Sequence, residues 1–123
     1  MDLDLFSHIL REIRTVYTPW ELNDVSFATY NEPNLDETFK EKLQIMTSMG
    51  FMYEHISNGS MITTDLTDFL IKCPQNIKQF RLNIPTLDES RWKNITGASV
   101  SVMYKMFYQL DYLFTRASQL NFG

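Results

Sequence analysis

Apolar residues recur along this chain at two different spacings, and the spacings divide it into segments. Between residues 3 and 17, Phe6, Ile9, Leu10, Ile13, Val16 and Tyr17 follow steps of three and four, while Ser7, His8, Arg11, Glu12 and Arg14 fill the opposite face. That period predicts an amphipathic helix, with Asp2 and Asp4 at the positive end of its dipole. Thr18-Pro19-Trp20-Glu21 has the residue types of a helix start, so a second helix is expected to run to about Thr29. Asn31-Glu32-Pro33-Asn34 reads as a turn, and Asn34-Leu-Asp-Glu37 as a further capping signal. Leu35, Phe39, Leu43, Met46 and Met49 then line one face of a third helix, which Gly50 ends.

After Gly50 the pattern changes. Phe51 to Ile56 is rich in aromatic and apolar side chains and predicts a strand, Ser57-Asn58-Gly59-Ser60 a tight turn, and Met61 to Thr64 a return strand. Asn-Gly favours a two-residue hairpin, because both central positions of a type I′ turn need positive φ. Thr64-Asp65 opens another helix with Leu66, Phe69 and Leu70 inward. Beyond Cys73-Pro74 the spacing of Ile77, Phe80 and Leu82 predicts a short helix before Pro85. Thr86-Leu-Asp-Glu89 is a capping box for a helix carrying Trp92 and Ile95 as far as Gly97. From Ala98 to about Leu120, the positions Val100, Met103, Phe107, Leu110, Phe114 and Ala117 alternate steps of three and four, the spacing of a coiled-coil seam. Tyr104, Met106, Tyr108, Tyr112 and Leu113 widen that stripe.

The order helix, Met49-Gly-Phe51, hairpin, Thr64-Asp-Leu66, helix resembles the second half of a winged-helix domain, in which a recognition helix runs into a two-stranded wing. With the two preceding helices, the resemblance extends over residues 5 to 71, and Thr18-Pro-Trp-Glu-Leu22 stands where such families carry a Thr-x-x-Glu-Leu start to the supporting helix. The fold expected from it is mainly α with a small two-stranded β-hairpin. A winged helix-turn-helix domain would occupy residues 1–72, and a helical extension, residues 73–123, would pack on it and form a dimer interface. Met49-Gly-Phe51 and the turn after it also look like the winged-helix-like dimerisation segment of O-methyltransferases, without their catalytic domain.

Composition sets limits on these expectations. A chain of 123 residues with 44% hydrophobic and 14% aromatic side chains has enough apolar material for a core. The single cysteine, Cys73, makes no internal disulfide, and with two distant histidines it has no zinc-ligand spacing. An intracellular, reducing compartment such as the cytoplasm is therefore expected, and the sequons at Asn58 and Asn94 are read as chance matches. There is no signal-peptide pattern at the N-terminus and no apolar run of membrane-spanning length, so no membrane association is expected. Net charge is −4 but uneven: residues 1 to 54 carry ten acidic against four basic side chains, and residues 55 to 123 carry five against seven. An acidic first half fits a protein partner better than it fits phosphates, which need Lys and Arg.

For a winged-helix protein the implied partner is double-stranded DNA. Two recognition helices about one DNA turn, ~34 Å, apart would meet a palindromic site. The implied contacts are Asn34, Thr38, Lys40, Lys42 and Gln44 on the third helix and Asn58 and Ser60 on the wing, with Lys72, Lys78, Arg81, Arg91 and Lys93 as possible basic support. Among the outward positions, Asp36, Glu37 and Glu41 oppose that reading electrostatically. A last helix so apolar exceeds what a small core covers, which predicts a homodimer through Val100, Met103, Phe107, Leu110 and Phe114 with its two-fold axis near Phe107 and Leu110. The competing fate for that helix is the core of a monomer. Catalysis is not expected: Cys73 and the histidines lack partners in sequence, and no Gly-rich phosphate loop, paired-His metal motif or nucleophile elbow occurs. No cofactor is expected. The functional readings are a transcriptional regulator or a replication or partition factor, and alternatively a protein-interaction or dimerisation module that binds no DNA.

Overall fold

A computed structural model describes residues 1–18, 24–27 and 32–120, which form five α-helices, three strands and two short 3-10 turns. They group into two compact units that the chain visits alternately. The first comprises Met1–Ile56 and Cys73–Arg81, and the second Ser57–Lys72 and Leu82–Gly123. The division expected at residue 72 is thus replaced by an interleaved one.

In the first unit, helix α1 (Leu3–Val16) begins at Asp2, whose carboxylate accepts from the Leu5 amide at 2.8 Å. It packs on α2 (Phe39–Ser48), which follows a 3-10 turn at Pro33–Leu35. The start signal at Asn34 makes that turn, and the α-helix proper opens four residues later, leaving Leu35 exposed. Gly50, at φ +75°, ends α2: the Phe51 amide reaches back to the Met46 carbonyl, and the Gly50 amide to that of Thr47.

Three strands complete this unit: β1 (Asp24–Phe27), β2 (Met52–Ser57) and β3 (Ile77–Leu82). They form one sheet in the order β1-β2-β3. Strand β1 runs parallel to β2, with Asp24 beside Met52 and Phe27 beside His55. Strand β3 is parallel too, since Asn76 at its start donates to the Phe51 carbonyl and the Asn83 amide at its end donates to that of Ser57. Tyr53, His55 and Ser57 alternate along β2 as its buried face, and Met52, Glu54 and Ile56 are half-buried on the other. Burial on both faces is what a central parallel strand requires.

This sheet overturns the winged helix-turn-helix. The expected hairpin over residues 51 to 64 contains one strand, β2, and both of its edges are occupied by parallel neighbours. Asn58-Gly59 does make a turn, with Gly59 at φ +82°, but side chains close it: Ser57 Oγ accepts from the Gly59 amide, and Asn58 Oδ1 from the amide and hydroxyl of Ser60. Thr63 Oγ1 then accepts from the Leu66 amide and caps a helix. Two other segments differ from expectation. Residues 24 to 27 are a strand, where a helix was expected to reach Thr29; the start signal at 19 to 21 lies outside the described residues, apart from the adjacent Thr18. Residues 77 to 82 are also a strand, because Pro74 and Pro85 leave room for only a short element and Phe80 and Leu82, two residues apart, share one half-buried face of a strand.

The second unit is helical. Helices α3 (Thr64–Lys72) and α4 (Glu89–Thr96) both pack on α5 (Val100–Ser118). Asp88 caps α4 through the Ser90 amide, and Gly97, at φ +73°, ends it. Trp92 lies buried in this unit and donates from its indole nitrogen to the Ser99 carbonyl at 3.1 Å, tying α4 to the start of α5. Met103, Met106, Leu110 and Leu113 are the buried stripe of α5, and Leu66 and Leu70 are buried on α3, which packs on it. Each contributes about 2 kcal/mol of gross apolar stabilisation.

Candidate functional site

The residues expected to meet DNA are dispersed by this fold. Lys40 and Gln44 lie one turn apart on the outer side of α2, with the carboxylates of Glu37 and Glu41 close by in sequence. Lys42 is on the inner side: it is 5% exposed and forms an ion pair with Asp36. Desolvation pushes the Asp36 carboxyl upward, but hydrogen bonds from Lys42 and Thr38 outweigh it and hold the group down to about 2. Thr38 is thereby committed to Asp36, and Asn34 to Glu32, whose carboxylate accepts from its side-chain amide at 2.7 Å. Asn58 and Ser60 bond to each other in a turn of the second unit instead of tipping a wing. Among the basic residues, Lys78 pairs with Asp24 and Glu54, and Arg91 with Asp88; Arg81 is in the first unit and Lys72 and Lys93 in the second.

The seam expected to make a dimer is also divided. Met103 and Leu110 are spent in the core of their own unit, Val100 and Phe107 are half-buried, and Phe114 is exposed. Two further aromatic residues, Tyr104 and Tyr108, lie on the outer side of α5 next to Phe107 and Phe114, which flank the buried stripe, and Tyr108 is 68% exposed. The Tyr104 hydroxyl donates to Glu89 at 2.8 Å, and that bond raises its pKa. Tyr112, beside this face, donates to Asp68 at 2.7 Å, which raises its pKa likewise, and Arg116 adds a longer contact to the same carboxylate. These carboxylates hold the two rings in place while leaving the aromatic face open. The sequence names all four aromatics and marks the stripe as wider than one core covers, but it places Met103 and Leu110 on the dimer seam beside Phe107 and Phe114, because a period of 3.5 does not distinguish which arc of a wide apolar surface is covered.

The first unit contains an aromatic pocket of about 500 Å³. Phe6 of α1, Phe27 of β1 and Phe39 of α2 line it, together with Glu32, Asp36 and Lys42. The Phe6 and Phe27 rings are 6.4 Å apart, and Phe27 meets Phe39 edge-on at 5.2 Å. Behind Phe39 lies His55, fully buried, with Phe39 edge-on at 5.2 Å and Phe80 at 4.7 Å. Neither imidazole nitrogen has a hydrogen-bond partner among the described residues, and desolvation lowers the pKa to about 4. The sequence does not associate these residues, since the pocket depends on β1 being a strand.

No group of three or more potential metal-ligating His, Cys, Asp or Glu side chains occurs among the described residues, and no helix among them is long and apolar enough to cross a membrane. Comparison of the chain with protein-family models, curated proteins and solved structures gives no match.

Proposed function

We propose that this protein is an interaction module that self-associates through the solvent face of α5, with no DNA required. The observation that carries this reading is the run of exposed Tyr104, Tyr108 and Phe114 with half-buried Phe107 along one side of the helix. An aromatic side chain offers about 150–250 Å², so four that are half-covered present roughly 400 Å². That is about half of the ~800 Å² each partner contributes to a standard interface. Neighbouring side chains on the same helix, including Val100, Asp111 and Thr115, add to it. Lys105, Asp111 and Arg116 bring both signs of charge to the exposed parts of α5, so two copies meet without a concentrated like charge. An antiparallel pair with its two-fold level with Gln109 sets Tyr104 of one copy against Phe114 of the other.

DNA binding is the second reading, and it rests on Lys40 and Gln44 alone, one turn apart on the outer side of α2. Glu37 and Glu41 beside them, and the engagement of Lys42 with Asp36, weigh against it. Light-scattering mass tests the first reading, with twice the 14.5 kDa of one chain expected and a return to single mass in Tyr108→Glu. A monomer at high concentration, or a dimer that ignores Tyr108→Glu, refutes the α5 interface. Titration of the same sample with duplex DNA at two salt concentrations separates the readings, because phosphate binding must weaken as salt rises.

A further inference from the structure

We propose that the aromatic pocket of the first unit binds a small uncharged aromatic molecule. Its volume of about 500 Å³ falls within the range of small-molecule sites. Phe6 of α1, Phe27 of β1 and Phe39 of α2 converge on it as a row, with successive ring centroids 6.4 and 5.2 Å apart. Both spacings lie in the range over which aromatic rings attract one another, so a ligand ring that touches the row extends it. Met1 and Leu35 also line the pocket and are 68% and 64% exposed. They are large apolar side chains that a seated ligand covers in part, which adds hydrophobic stabilisation to the ring contacts.

The charged side chains of the lining decide against a charged ligand, because each has a task in the wall itself. Glu32 caps the 3-10 turn at Pro33–Leu35, accepting from the side-chain amide of Asn34 at 2.7 Å and from its backbone amide at 3.4 Å. Asp36 accepts from the amide and hydroxyl of Thr38 and forms the ion pair with Lys42, which is 5% exposed. An incoming anion has to draw Lys42 away from Asp36 and strand that carboxylate. A cation finds Asp36 already bound to Lys42 and Glu32 already bonded to Asn34, and it meets the Lys42 ammonium as a like charge. Either ion also gives up hydration to enter between phenylalanine rings, a cost that an uncharged ring does not meet.

The test is calorimetric titration of the full chain at neutral pH with indole, benzamidinium and benzoate, flat probes that have the same number of non-hydrogen atoms and differ in charge. The expected result is saturable one-to-one binding of indole, at least about tenfold tighter than that of either ion. Leu35→Ser, which removes apolar surface from an exposed position of the lining, is expected to weaken indole roughly threefold. Leu87→Ser, at an exposed leucine of the second unit, should leave indole binding unchanged. Absence of saturable binding up to about 10 mM indole overturns the proposal. So does binding of either ion as tight as that of indole, a comparison made on the wild-type chain and independent of any variant's folding. Undiminished indole binding in a folded Leu35→Ser chain overturns it as well, since the ligand would then lie outside this pocket.

Discussion

Replacing His55 with leucine isolates what the buried imidazole does to stability. His55 is fully buried on β2, packed between Phe39 of α2 and Phe80 of β3, and lies beside Phe27 of β1 in register. Desolvation alone lowers its pKa, from 6.5 to about 4, with no charged neighbour contributing. The unfolded chain consequently binds a proton between these values that the folded chain refuses. Stability is full above pH 6.5 and falls with pH at about 1.4 kcal/mol per unit. The loss reaches ~3 kcal/mol by pH 4, a large share of the 5–15 kcal/mol that a domain typically has.

Leucine removes this linkage and little else. Lost aromatic contacts with Phe39 and Phe80 cost about 0.5–1.5 kcal/mol each, and two buried nitrogens without partners cease to cost about 1–3 kcal/mol between them. At pH 7.5 the variant is therefore expected to unfold within ~1 kcal/mol of wild type, while at pH 4.5 it should be the more stable by about 2 kcal/mol. Urea unfolding followed by far-UV dichroism at pH 7.5, 6.5, 5.5 and 4.5 measures both quantities. His8, exposed on α1, remains in both proteins and cancels in the difference. Parallel pH profiles for wild type and His55→Leu would refute the argument, since they would place the proton uptake elsewhere.

Three further outcomes follow from the geometry. Gly59→Ala is expected to cost about 1–2 kcal/mol for its positive φ, and somewhat more because the new Cβ lies 3.4 Å from Cγ and Sδ of Met106; Gly50→Ala, at φ +75° in open space, should show the backbone cost alone in the same denaturation assay. Asp36→Ala leaves the buried Lys42 ammonium without its carboxylate and is expected to destabilise by about 3 kcal/mol, whereas Lys42→Met should cost less than about 1 kcal/mol, because Asp36 reaches water; a reversed order would contradict the assigned burial. In acid, the lowered Asp36 pKa supports the fold above its unfolded value of 3.8 and is lost as pH falls toward about 2, below the window set by His55, so Asp36→Asn should flatten only the part of the urea profile below pH 4.

The sequence displays some of this structure plainly and conceals the rest for identifiable reasons. Helices α1, α3, α4 and α5 are visible within two residues at each end, because Asp2, Thr63 and Asp88 supply caps and the apolar period is 3.6. Strand β2 is visible too, but its partners are not. Asn58-Gly59 is equally at home in a hairpin and in a turn closed by Ser57 and Asn58 side chains, and the choice falls to Thr63, whose hydroxyl caps a helix where a return strand was expected. Parallel pairing has no local signature, since β1 and β3 reach β2 from 28 and 25 residues away in register and by hydrogen bond.

The same limit governs the functional surfaces. Periodicity marks Ile9, Val16 and Tyr17 in and just after α1 and Tyr104, Tyr108 and Phe114 of α5 as apolar, yet all six are exposed. A stripe wider than one neighbour can cover is legible as surplus, and its direction is settled only when the covered arc is known. On α5 that arc is Met103, Met106, Leu110 and Leu113, which leaves the aromatic arc outward. An aromatic arc is costlier to leave in water than an aliphatic one of similar length, because its rings are larger. The α5 face is therefore the stronger of the two candidates for a covered surface, and Tyr108, its most exposed ring, is the position where a single glutamate should have the largest effect on association.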